Sequence, residues 1–240
     1  EIVLKLRGRR LKYIPKEKLG DFTTQADISS EKTILKILKS KFPKHSFLSE
    51  EIGNEDSGSE FRWVIDPIDG TIPYSSGLPT FAISIGLLKN NEPFMGVINL
   101  PALKSLFWAT QGKGAYLNGK RIKVSANDDL SKAVIGFDLA HMGGRRAELI
   151  KLIEPIVDKV RYAPSSGCTV AGLSYVASGV YDGFIHSAYP WDYAAGAIII
   201  EESGGTITDY QGKPIDWTKD WIDFFASNGI IHSKILGLIK

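Results

Sequence analysis

A single cysteine in 240 residues, Cys168, has nothing to pair with. That excludes a disulfide framework and any multi-cysteine metal site. It suits a reducing compartment, so the cytoplasm is the expected location. Cys168 itself reads as a small helix-packing residue. No apolar run approaches the length of a bilayer span, and the charged first residues do not make a signal peptide, so no membrane association is expected. Histidine is scarce. His45, His141, His186 and His232 show no H-x-x-x-H spacing that would hold zinc. There is no G-x-S-x-G elbow for a nucleophilic serine, no internal repeat and no low-complexity segment. The one phosphate-loop lookalike, Gly114 with Gly119-Lys120, has Arg121 where the magnesium-binding Ser or Thr belongs, and it lacks a strand-to-helix context.

Charge of one sign is also in short supply, since the chain sums to +2. The excess is local. Residues 1–18 carry seven basic side chains against two acidic ones, a net of +5, which leaves −3 for the remainder. Such an arm can meet nucleic acid. Ile2, Leu4, Leu6 and Leu11 give it a partial apolar side, however, so the solvated face of a helix is the plainer reading and nucleic acid is not the expected partner.

What the chain does contain is Trp63-Val64-Ile65-Asp66-Pro67-Ile68-Asp69-Gly70-Thr71. An inner-strand run leads straight into a carboxylate, and a second carboxylate follows three positions later. Pro67 fixes one φ and Gly70 permits a turn that other residues resist. Asp66, Asp69 and the Ile68 carbonyl can therefore converge at a rigid corner, an oxygen set suited to Mg²⁺. Thr71 reads as the start of a short helix, because Pro73 is tolerated in a first turn, and exposed amides there would hold a phosphate.

Elsewhere, Asp27 reads as the N-cap of a helix whose stripe is Ile28, Ile34, Leu35, Leu38 and Phe42. Ser46–Ser49 reads as a short strand delivering Glu50-Glu51 into a loop. Alternation marks strands at 81–88, 94–100 and 105–110, and Asn118-Gly119 marks a hairpin. Residues 125–131 are a polar connector, so the domains are expected at 1–127 and 128–240. In the second, strands at 133–139 and 181–186 alternate with helices at 144–160, 167–178 and 192–203. Asp192 is read as the last helix's cap and Gly204-Gly205 as its stop. The fold class is thus α+β in the first half and α/β in the second.

Asp27 after a threonine-rich lead, Glu50-Glu51, Asp66-Pro67-Ile68-Asp69-Gly70-Thr71, and Trp191-Asp192 before Ala194-Ala195 with Gly204-Gly205 downstream occur in the order of one family. Over nearly its whole length the chain resembles the inositol monophosphatase family, Mg²⁺-dependent, lithium-sensitive phosphatases that include archaeal-type fructose-1,6-bisphosphatases. The resemblance implies a five-layer α/β/α/β/α sandwich with the site between its halves. It implies one Mg²⁺ held by Glu50, Asp66 and the Ile68 carbonyl and a second held by Asp66, Asp69 and Asp192, with Glu50 sharing a third, weaker ion. Asp27 and Thr71 would orient the attacking water. The Gly70 and Thr71 amides would bind phosphate, and Asp69, Asp192, Ser165 and His186 would also face the substrate. Lys16 or Lys18 would be the family's active-site lysine. A homodimer is implied as well, and a late-starting first helix implies further residues ahead of Glu1.

The chemistry fits on its own terms. A phosphate monoester dianion repels nucleophiles and clustered carboxylates repel one another, so both need cations. Two metals about 4 Å apart can activate water on one side and stabilise the leaving alkoxide on the other. The expected activity is hydrolysis of a small polyol or sugar phosphate, myo-inositol 1-phosphate or fructose 1,6-bisphosphate or both. The chain departs from the family at Ile72-Pro73-Tyr74, and at 185–190, where a sugar-binding Glu is missing. A 3′-phosphoadenosine-type nucleotide phosphatase is the alternative, made less favourable by Ile72 in place of a Lys. An RNA- or protein-binding module using the basic arm, with secondary phosphatase activity, is the other.

Overall fold

The computed structural model describes residues 1–8, 12–16, 22–139 and 146–239. Ile2–Leu6 form a short helix (α1), and Tyr13–Pro15 (β1) pairs antiparallel with Phe22–Thr24 (β2). Helix α2 (Gln25–Lys41) follows, then β3 (Ser46–Ser49), β4 (Gly53–Glu55), β5 (Phe61–Asp69) and the short helix α3 (Thr71–Ser75). Strands β6 (Ala82–Lys89), β7 (Glu92–Leu100), β8 (Ser105–Thr110), β9 (Ala115–Leu117) and β10 (Lys120–Arg121) form a run of hairpins. The remainder holds β11 (Ile135–Phe137), α4 (Arg146–Val157), α5 (Thr169–Ala177), β12 (Gly183–Ala188), α6 (Pro190–Glu202), β13 (Thr206–Thr208), β14 (Ile222–Ser227) and α7 (His232–Leu236).

Strands β3 to β10 make an eight-stranded sheet ordered β10-β9-β8-β7-β6-β5-β3-β4, antiparallel except for the β3–β5 pair. A second sheet is ordered β11-β12-β14-β13, with only β11–β12 parallel. Side-chain alternation then assigns the layers. Along β5, Trp63 and Ile65 join Leu35 of α2, whereas Val64 joins Ala194 of α6. Along β14, Phe224 and Ala226 face α5 and α6, whereas Phe225 packs with Ile153 and Ile156 of α4 and Ile235 of α7. The order is helix, large sheet, helix pair, small sheet, helix pair, the five-layer sandwich implied by the family resemblance.

Helix α6 is the centre of this arrangement. Every residue from Tyr193 to Ile200 is buried, as expected of a helix apolar on all sides with a sheet on each face. Its backbone comes so close to the large sheet that a Cβ on Gly96 would lie 2.5 Å from the Ala195 carbonyl oxygen.

Several boundaries differ from the sequence reading. Helix α2 begins at Gln25 and its N-cap is Thr24; Asp27 is the third helical residue, completing a capping box. Likewise α6 begins at Pro190, its N-cap position is Tyr189 and Asp192 is the third residue. A third-position acid takes the cap residue's own amide and a cap side chain takes an amide inside the first turn, so both mark a helix start, which is why the pattern misplaced both by three residues. Helix α4 ends at Val157, α5 at Ala177, and β12 runs two residues later than expected. Among its described residues the basic arm is helical only over α1; Arg9, Arg10, Leu11, Lys18, His141 and Gly144 lie outside the described residues.

Candidate active site

Strand β5 delivers the first carboxylate. Its ladder with β6 shifts register between Asp66 and Asp69, so the chain turns out of the sheet just where Pro67 forbids a ladder hydrogen bond. Gly70 then takes φ +79°, and a Cβ there would sit 2.9 Å from the Thr80 carbonyl oxygen and 3.0 Å from Cys168 Cβ. Only glycine fits. Asp66, Asp69 and Asp192 come together with one carboxylate oxygen from each, all within 4.8 Å of one another. Asp192 is aimed by the first turn of α6, where its Oδ2 accepts from the Tyr189 amide at 2.9 Å.

Asp66 is buried, and its Oδ1 has no hydrogen-bond partner among the described residues. Burial first, then the charges of Glu50, Asp69, Asp192 and Asp27, hold the Asp66 carboxyl well above the usual range. Asp192 is raised in the same way, by burial and then by Asp69 and Glu50. Burial pushes Asp69 up to about 6, against hydrogen bonds from Cys168, Val170 and Gly70. An orphaned acceptor among three mutually repelling carboxylates fits a hard divalent cation.

Glu50 follows β3, and the parallel register places its amide on the Ile65 carbonyl at 3.2 Å, beside Asp66. It stands outside the three-acid group because its Oε1 accepts from Lys16 Nζ at 2.6 Å; Lys16 also pairs with Glu51 at 2.8 Å. Lys16 therefore enters the site. Burial raises the Glu50 pKa to about 7, although Lys16 opposes it. Burial alone would lower the Lys16 pKa, but the two glutamates outweigh it and the net shift is upward. Glu51, though in a loop, is mostly covered.

Asp27 is fully buried at the start of α2. Its Oδ2 takes the Thr24 amide at 2.8 Å and the Thr24 hydroxyl, and its Oδ1 lies 3.2 Å from Thr71 Oγ1. Thr71 Oγ1 is also 3.1 Å from the Ile68 carbonyl. Burial raises the Asp27 pKa, against the Thr24 hydrogen bonds. Ser165 donates to Asp138 at 2.7 Å, and His186 Nδ1 lies 2.8 Å from the Asp138 carbonyl, which requires the Nδ1–H tautomer.

Three residues escaped the sequence reading. Glu31 is buried four residues after Asp27 on the same helix face, and its Oε1 accepts from Ser49 Oγ and from the Glu51 and Ile52 amides, fixing the turn that carries Glu50. The four-residue spacing was the available signal. Cys168 caps α5 instead of merely packing, and its thiol donates to Asp69 Oδ2 at 3.0 Å. Asp138 has no local pattern to reveal it.

The inositol monophosphatase family model matches residues 1–240. The fructose-1,6-bisphosphatase/inositol-1-monophosphatase of Aquifex aeolicus is 37% identical over 222 residues, 92% of this chain and 82% of that protein. Among solved structures, the extragenic suppressor protein suhB from Bartonella henselae superposes with a TM-score of 0.92 at 33% identity, covering 100% of this chain and 93% of that one. An IMPase of Thermotoga maritima gives 0.91 at 33% identity, with 99% and 91% covered. The chain belongs to the inositol monophosphatase family. It is a phosphatase, a phosphoric monoester hydrolase, in a family that depends on metal. No helix among the described residues is long and apolar enough to cross a membrane.

Proposed function

We propose that the protein hydrolyses the phosphate monoester of a small polyol or sugar, with myo-inositol 1-phosphate and fructose 1,6-bisphosphate as the leading substrates. The observation that carries this reading is the convergence of Asp66, Asp69 and Asp192 around an unpartnered buried oxygen. Those three acids would hold one Mg²⁺, and Glu50, Asp66 and the Ile68 carbonyl a second, with Glu50 sharing a third. When bound, the metal supplies charge neutralisation and Lewis-acid activation of water. The chain's own residues do the positioning. Thr71 Oγ1 lies 3.2 Å from Asp27 Oδ1 and 3.1 Å from the Ile68 carbonyl; with its proton on Asp27, an oxygen lone pair would be free to orient the attacking water. The Gly70 and Thr71 amides would take the phosphate oxygens.

Substrate selection falls to the edge near Ser165, His186 and Tyr189-Pro190. No glutamate precedes Trp191-Asp192 there, so selection for the inositol ring is relaxed. The basic arm gives little support to a nucleic-acid partner, because Arg7 donates to the Gly77 carbonyl at 2.6 Å and lies over Phe81, and Lys16 is in the site. We further propose a homodimer in the cytoplasm, with residues 1–127 and 128–240 as the two domains of each protomer. The test is phosphate release from a panel of esters with Mg²⁺ and with EDTA. Inositol 1-phosphate and fructose 1,6-bisphosphate should be cleaved within about tenfold of each other, roughly 1.4 kcal/mol in transition-state binding. Strict preference for a 3′-phosphonucleotide, or release that ignores EDTA, would overturn the reading.

A further inference from the structure

Asp138 lies one residue beyond β11 and is 5% exposed. Its carboxylate collects five donors from one short segment. Oδ1 accepts from Ser165 Oγ at 2.7 Å, the Ser166 amide at 2.9 Å and the Gly167 amide at 2.7 Å. Oδ2 accepts from the Cys168 amide at 3.1 Å and, at 3.3 Å, from Ser166 Oγ, whose one proton is shared with the nearer Cys168 carbonyl at 2.9 Å. Three successive amides and two hydroxyls around one charge form the kind of nest that binds a free anion. Here the chain supplies the anion itself.

The segment so fixed leads directly to a proposed metal ligand. Cys168 ends it and begins α5, and Cys168 Sγ and the Val170 amide both donate to Asp69 Oδ2, at 3.0 and 2.6 Å. The segment also backs onto the turn after Asp69, since a Cβ on Gly167 would lie 3.0 Å from Pro73 Cγ. We propose that Asp138 is a positioning residue for Asp69. It locks residues 165–168 so that Cys168 and Val170 hold Oδ2, which leaves the other oxygen of Asp69 for the three-acid cluster. The inference rests on the reading of Asp69 as a metal ligand.

The probe is Mn²⁺, with the free ion followed by electron paramagnetic resonance, beside the Mg²⁺ half-saturation of phosphate release. In Asp138→Asn the amide group must face N–H donors on one side, so the nest cannot close. Mn²⁺ affinity should fall about tenfold or more, and Mg²⁺ half-saturation should rise in step. Cys168→Ala should weaken Mn²⁺ binding in the same sense, and Cys168→Ser, which restores cap and donor, should recover it. A folded Asp138→Asn with wild-type Mn²⁺ affinity overturns the inference, as does identical behaviour of the two Cys168 variants. If Asp138→Asn does not fold, the Cys168 pair decides. Asp66→Asn separates the two levels. If it binds Mn²⁺ like the wild type, the metal-cluster reading has failed; if it does not, and the Asp138 and Cys168 variants are normal, only the positioning role has failed.

Discussion

Replacing Asp66 with asparagine asks the most of the metal-cluster reading. In the metal-free protein the Asp66 carboxyl is buried, lacks a partner at Oδ1 and is driven toward its protonated form by burial and four neighbouring acids. An amide has nearly the same shape as that protonated carboxyl. Asp66→Asn should therefore leave the metal-free melting temperature within about 2 °C of the wild type, about 0.5–1 kcal/mol for a chain of this size. Mg²⁺ should separate the two proteins. A cation present at about 100 times its Kd stabilises by about 2.7 kcal/mol. At about 2–4 °C per kcal/mol, the wild type should gain roughly 5–11 °C. The variant, without the oxygen shared between the proposed sites, should gain almost nothing and lose nearly all turnover. Melting curves at pH 7.5 with and without Mg²⁺, beside phosphate release, measure both quantities. A wild-type Mg²⁺ shift in Asp66→Asn, or retention of most turnover, refutes the assignment. A large drop in metal-free stability would instead make Asp66 a structural residue.

The other predictions use the same apparatus. Glu50 and Asp69 titrate near 7 and 6 in the folded, metal-free protein, above their ordinary values of 4.5 and 3.8. Raised carboxylate values mean that the metal-free fold loses stability as pH rises toward 7, while Mg²⁺ binds only the ionised forms. The Mg²⁺-induced melting shift should accordingly be larger at pH 8 than at pH 5.5, and a shift that does not vary with pH contradicts this. Asp27→Asn and Thr71→Ala should each lower kcat sharply at saturating Mg²⁺ with little change in substrate affinity. If the pair orients one water, the double variant should be scarcely worse than the poorer single one, so additive losses in kcat would dissolve the pair.

The corner from Trp63 to Thr71 was legible because everything that shapes it is local: a buried run, a proline, a glycine and two acids within nine residues. The five layers and the place of Asp192 came from the family resemblance, since no local pattern says which residue will arrive from α6. The capping acids were legible in kind and misplaced in position, because a third-residue carboxylate and an N-cap side chain both mark the start of a helix, each by taking a different orphan amide. Asp138 was beyond reach for a different reason. Its partners lie 27 to 30 residues away and three of the five donors are backbone amides, whose identity leaves no mark on the sequence. Cys168 was misjudged on rarity, since cysteine is not among the favoured N-caps. Its role shows only once Asp69 is seen 3.0 Å from its sulfur.

Helix α6 begins at the site and then runs through the middle of the protein with no clearance on either side. Asp192 stands one turn ahead of Ala195, the residue whose carbonyl nearly touches Gly96. A single methyl added at Gly96 must push that helix or the strand beneath it. The displacement would travel along a rigid rod to a carboxylate that has to meet Asp66 and Asp69 within a few ångströms. Evolution of the interior and evolution of the catalytic rate are therefore not separate processes in this chain. A substitution in the core, where no substrate can ever reach, is also a substitution in the geometry of the reaction.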